Sequence, residues 1–172
     1  MGEPTSFPPL PHDANRAGRP GGGTIRLSDK ELTVPFTNYL DQALTKLLFS
    51  NTAYTIPATW YVALSTTTPT QGASPNFTEP SGNAYARVAV TNNSTNWQPI
   101  SSQPASGYTM QNNTIVTFAT ATGTWGTVTY FGVFDASSGG NLCGYGLLTA
   151  SQAITTGIAP SFAVGALTIT NN

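Results

Sequence analysis

From Pro57 onward the chain is a succession of short β-branched and aromatic segments separated by Gly, Pro, Ser and Asn, with no helical period between them. The segments are TWYVALST (59–66), YARVAVTN (85–92), NTIVTFAT (113–120), TVTYFGVFD (127–135), NLCGYGLLT (141–149) and FAVGALTIT (162–170). Such side chains fit a pleated, half-buried surface, and strands that succeed one another without crossover helices favour antiparallel pairing. Residues 51–172 are therefore expected to form a mainly β body, an antiparallel β-sandwich of jelly-roll or barrel type. The DASSGGN stretch has glycines free to take positive φ, which predicts a hairpin whose turn Asp135 shapes with its own side chain.

One stretch departs from this pattern. FTNYLDQALTKLLF places Phe36, Leu40, Ala43, Leu44, Leu47 and Leu48 at helical spacing, with Asn38, Asp41, Gln42, Thr45 and Lys46 on the other face. It predicts an amphipathic helix over 36–50, capped by Thr37 or Asn38, stopped by Ser50-Asn51 and packed on the β body.

Residues 1–35 hold Pro4, Pro8, Pro9, Pro11, Pro20 and Pro35 together with Gly18, Gly21, Gly22 and Gly23. That density excludes a helix interior or a central strand and predicts an extended arm. At ~3.3 Å per residue the arm would reach about 100 Å, enough to lie on a neighbouring subunit. Phe7, Leu10, Arg16, Arg19 and Arg26 are its candidate partner-binding residues.

Charge divides the chain in the same place. Ten of the thirteen Asp, Glu, Lys and Arg residues precede Asn51, and only Glu79, Arg87 and Asp135 follow it. A body with one Arg and no Lys cannot neutralise several phosphates, so nucleic acid is not an expected partner. No window holds the ~18 to 20 apolar residues that cross a bilayer, and MGEPTSFPPLPHD lacks the basic and apolar blocks of a signal peptide. Neither membrane association nor export is expected.

The residues for catalysis are also missing from the pattern. The single His12 lies in the Pro-rich arm, so metal centres and nucleophilic triads lack parts, and the β body offers a glycosidase only Glu79 and Asp135. No enzyme activity, metal or cofactor is expected. Cys143, flanked by Leu142 and Gly144, reads as a small buried apolar residue. Arg87 is expected to pair with Asp135 or Glu79 and fix a loop. Trp60 reads as core, whereas Trp97 and Trp125 fall in turn-rich stretches and are the candidates for glycan contact.

The segments YVALSTTTPT, GNAYARVAVTNNSTNW, TFATATGTWGTVTYFGVFDASSGGNL and GALTIT, in this order, resemble a widespread family of small phage virion proteins often labelled tail fibre proteins. The resemblance covers roughly residues 36–172 and implies virion membership, with the major capsid protein or tail proteins as partners. The chain has none of the repeats, heptads or collagen triplets of a fibre shaft. The expected role is therefore a capsid decoration (cement) protein on the outer surface of a particle assembled in the host cytoplasm. A homo-oligomer is expected, a trimer by preference. The competing expectation is a tail-fibre or receptor-binding module that contacts host glycans.

Overall fold

The computed structural model of the protein describes residues 24–28, 32–34, 36–72, 76–103 and 108–171. In chain order its elements are β1 Thr24–Ser28, β2 Leu32–Val34, α1 Asn38–Phe49, β3 Thr59–Ser65, β4 Val88–Thr91, β5 Trp97–Pro99, β6 Tyr108–Asn112, β7 Val116–Thr117, β8 Gly126–Phe134, β9 Leu142–Ile154, β10 Ala159–Phe162 and β11 Leu167–Asn171. They form three sheets, ordered β1-β10-β7, β2-β11-β6-β5 and β4-β3-β8-β9. All three contribute to one core that includes Leu27, Leu64, Trp97, Phe118, Phe131, Leu148, Phe162 and Leu167. The mainly β, antiparallel expectation holds for the body.

The sheet β4-β3-β8-β9 is antiparallel throughout. Its strand β8 is buried on both faces towards its end, Phe131 through Phe134. One face meets the core; the other is covered by Phe77, whose ring stands edge-on to Phe134 at 5.1 Å. Gly132 makes that cover possible, because a Cβ there would run into both the Phe77 ring and Leu142. The predicted β8–β9 hairpin is present: Asp135 accepts hydrogen bonds from Asn141 N at 2.6 Å and Asn141 Nδ2 at 2.8 Å.

The end of the predicted arm belongs to the body instead. β1 pairs in parallel with β10, and β2 in parallel with β11. Leu27 is 2 % exposed within the core. The prolines explain how: Pro20 and Pro35 flank TIRLS and LTV without interrupting them, and both strands lie at sheet edges, where short pairing suffices. The expectation of an arm reaching to residue 35 is thus corrected for Thr24–Ser28 and Leu32–Val34.

Further differences have local causes. The single strand expected over 162–170 is two, because Gly165 at φ 75° turns the chain between β10 and β11. β5 lies in the stretch 93–107 expected to be turns, and β6 falls between that stretch and the strand expected over 113–120; β5 is an edge strand, so its Pro99 costs no ladder bond.

Two irregularities position α1. Along β8 and β9, Val133 faces Gly144 while Phe134 faces Leu142, so Cys143 is the extra residue of a β-bulge. Its freed carbonyl accepts from Thr37 N at 2.9 Å, and the Thr37 hydroxyl donates to the carbonyls of Leu142 and Cys143. Thr37 is the N-cap residue, but with its hydroxyl committed to β9 it makes no side-chain cap bond. At the other end Asn51 takes a positive φ of 49°, while Ser50 N and Thr52 N both donate to Lys46 O, ending the helix as expected.

Candidate functional site

The helix stripe is only partly covered. Leu40 is buried, whereas Leu48 is 73 % and Phe49 83 % exposed, with Leu47 and the following Ile56 also in water. The expectation that the whole stripe packs on the body is corrected for its last turn. Fully burying such a side chain is worth roughly 1.5–3 kcal/mol, so this end of α1 is the apolar surface a partner would gain most by covering.

Beside it lies a cavity of about 300 Å³. α1 contributes Leu40, Leu44 and Leu47; the following loop contributes Tyr54 and Ile56; the sheets contribute Trp60, Trp97, Met110 and Ile169. Among the described residues no charged side chain lines it. Because Leu47 and Ile56 are both lining and exposed, the cavity opens onto the apolar end of α1. Two of its lining residues carry buried polar atoms without a hydrogen-bond partner among the described residues, Tyr54 Oη and Trp97 Nε1.

Cys143 lines the floor at the bulge and is buried, as its neighbours predicted. Burial, with the nearby Asp135 carboxylate adding to it, pushes its thiol up to about 12; burial likewise pushes the Tyr54 phenol up to about 12. Iodoacetamide at pH 8 is therefore expected to leave Cys143 unmodified in the native protein and to alkylate it fully in guanidinium, read by intact mass. Fast native alkylation would show the floor to be open. The thiol ordinarily titrates near 9.0. Its contribution to stability is whole below about 9 and declines from there as pH rises towards 12, since only the unfolded chain ionises freely in that window.

Trp97 and Trp125, the candidates for glycan contact, are both buried. They are 5 % and 4 % exposed, so neither offers a ring face to solvent. Trp125 donates from Nε1 to Asn83 O at 2.8 Å and packs edge-on against Tyr85. Trp97 lies in β5 and lines the cavity. Of the candidate partner-binding residues, Phe7, Leu10, Arg16 and Arg19 lie outside the described residues. Arg26 is in β1, its backbone opposite Ser161.

Arg87 chooses Glu79. Its Nη2 and Nε reach the carboxylate at 2.6 and 3.1 Å, Nη1 donates to Ala136 O and Gly139 O, and the guanidinium lies 3.6 Å from the Phe134 ring centroid. Tyr85 completes the cluster by donating to Glu79 at 2.9 Å while its oxygen accepts from Leu64 N. All three Arg87 nitrogens are directed at protein groups, so the cluster ties the β3–β4 connection to the β8–β9 turn.

Among the described residues, no three His, Cys, Asp or Glu side chains stand close enough to hold a metal ion, and no helix is long and apolar enough to cross a membrane. Compared with curated proteins, the chain gives no match. A family model does match it, over residues 35–170, which takes in the helix and nearly the whole β body. The chain belongs to the family described as podophage GP4 fiber I protein gp80.

Proposed function

We propose that the protein is a non-enzymatic structural subunit of a podophage virion, a compact fibre-type module on the outer surface of the tail apparatus. The family match over residues 35–170 carries this reading, because it spans the β body as a whole. The family's description favours a tail appendage over capsid decoration, and the buried rings of Trp97 and Trp125 lend no support to glycan contact through those two residues. The exposed Leu48 and Phe49 supply the surface through which such a module joins other virion proteins.

Attachment in this reading uses two features. The body docks through the apolar end of α1, while the leading segment, with Phe7, Leu10, Arg16 and Arg19, runs onto a neighbouring subunit of a homo-oligomer, by preference a trimer.

Labelled antibody on intact particles tests it. Labelling at the tail pole is the expected result. Even labelling over the head would replace the fibre reading with capsid decoration, and absence from purified particles would overturn virion membership.

A further inference from the structure

We propose that the cavity beside α1 receives the segment Phe7–Pro11 of this protein's own sequence. The inference rests on the reading of the leading segment as a connector and deepens it by naming the surface that takes it.

The cavity has the walls such a ligand needs. Phe36, Tyr54, Trp60 and Trp97 supply aromatic faces, with Leu44 and Met110 filling between them. Grooves lined this way bind proline-rich segments, because flat rings pack against pyrrolidine rings at small entropic cost.

The segment suits those walls. Phe7-Pro8-Pro9-Leu10-Pro11 carries no charge, matching a cavity without charged residues, and offers two large apolar side chains. Proline-rich sequence favours the polyproline II helix, which makes no internal hydrogen bonds and leaves every carbonyl oxygen free to accept. Its period of three residues puts Pro8 and Pro11 on one edge. Prolines also lack an N–H, so the segment brings acceptors with few donors to satisfy.

Reach allows it. Pro11 and Phe7 stand 13 and 17 residues before Thr24, where β1 begins (24 − 11 and 24 − 7). At ~3.1 Å per residue they extend roughly 40–53 Å, and a folded unit of about 150 residues is about 40 Å across. The segment can therefore enter the cavity of its own copy or of a neighbour, by the mouth at Leu47 and Ile56.

The test is a photo-crosslink in the full chain, with p-benzoylphenylalanine in place of Phe7 and adducts mapped by mass spectrometry. Adducts on Leu44, Tyr54, Ile56 or Met110 are expected. A cavity adduct of dimer mass would place the segment in a neighbour and support both the inference and the connector reading; one of monomer mass would place it in its own copy, supporting occupancy of the cavity while overturning the connector reading. Adducts confined to residues outside the cavity would overturn it. Leu44→Trp fills the cavity and should reduce the adducts at least tenfold. Where that variant fails to fold, Ile56→Trp at the exposed rim blocks the mouth without burying bulk, and undiminished adducts in a folded rim variant would also overturn the inference. The crosslink is read on purified protein, so its outcome is separate from particle labelling. A protein missing from virions would remove the fibre reading while leaving a cavity adduct in place.

Discussion

Arg87→Ala is expected to lower the unfolding free energy by about 3 kcal/mol, the low end of the range for breaking one side of a buried ion pair. The Arg87 side chain is 6 % exposed and makes contact with Glu79, Ala136 O, Gly139 O and the Phe134 ring. Alanine removes all of these at once and leaves the Glu79 carboxylate with the Tyr85 hydroxyl as its remaining partner in the cluster. Glu79 keeps 24 % of its side-chain surface in water and can partly rehydrate, which places the loss at the lower end. For a chain of this size the same loss lowers Tm by roughly 6–12 °C. Arg87→Lys should recover only part of it, since an ammonium cannot span the carboxylate and two carbonyls or stack on Phe134 as a planar guanidinium does. Urea unfolding monitored by tryptophan fluorescence measures both variants. A loss below 1 kcal/mol for the alanine variant would mean the cluster acts as an ordinary surface pair.

That cluster also shows how far the sequence could be read. Arg87 stood nearly alone among uncharged residues, so a pair with Glu79 or Asp135 was predictable, but the choice between them was not. It depends on Asn141 occupying both oxygens of Asp135, a contact made by the hairpin's own turn. Strands β3, β8 and β9 were legible because β-branched and aromatic residues dominate them. β6 was not, since its fully buried residues are Thr109 and Asn112, whose burial rests on hydrogen bonds that leave no apolar pattern. The parallel pairing of β1 and β2 was hidden for another reason: Pro and Gly density was averaged over 35 residues, across two short proline-free runs.

The cavity was half legible. Helical periodicity identified Leu40, Leu44, Leu47 and Leu48 as sharing a face, but periodicity says which residues lie together and nothing about whether the body is long enough to cover them. The two tryptophans were misplaced by their neighbourhood. Turn formers around Trp97 and Trp125 suggested exposure, while the three-residue strand β5 and the Asn83 carbonyl draw the rings inward. Tyr54 carried no signal at all, since an orphaned hydroxyl exists only relative to a packed surrounding.

Asn112→Ala should cost about 3 kcal/mol, although the chain's many asparagines give no hint that this one differs. Its side chain is fully buried and makes three bonds: Nδ2 donates to Thr114 O at 2.8 Å and Ala163 O at 2.7 Å, and Oδ1 accepts from Leu167 N at 2.8 Å. These join the end of β6 to the turn before β7 and to both sides of the β10–β11 connection. Alanine leaves one backbone donor and two carbonyls without these partners in a dry interior, at about 1 kcal/mol or more each. Asn112→Leu should do no better, because it restores volume but no hydrogen bond. Asn112→Asp separates the polar contribution from packing. It preserves shape and the acceptor for Leu167 N, but an ionised carboxylate would face two carbonyl oxygens where the amide donated. That variant should therefore be less stable than the alanine variant at pH 7 and regain stability as pH falls, once its carboxyl is protonated and can donate again. Equal stability of the aspartate variant at pH 4 and pH 7, measured by urea unfolding, would show that water reaches position 112 and that the three bonds do not hold this corner of the core.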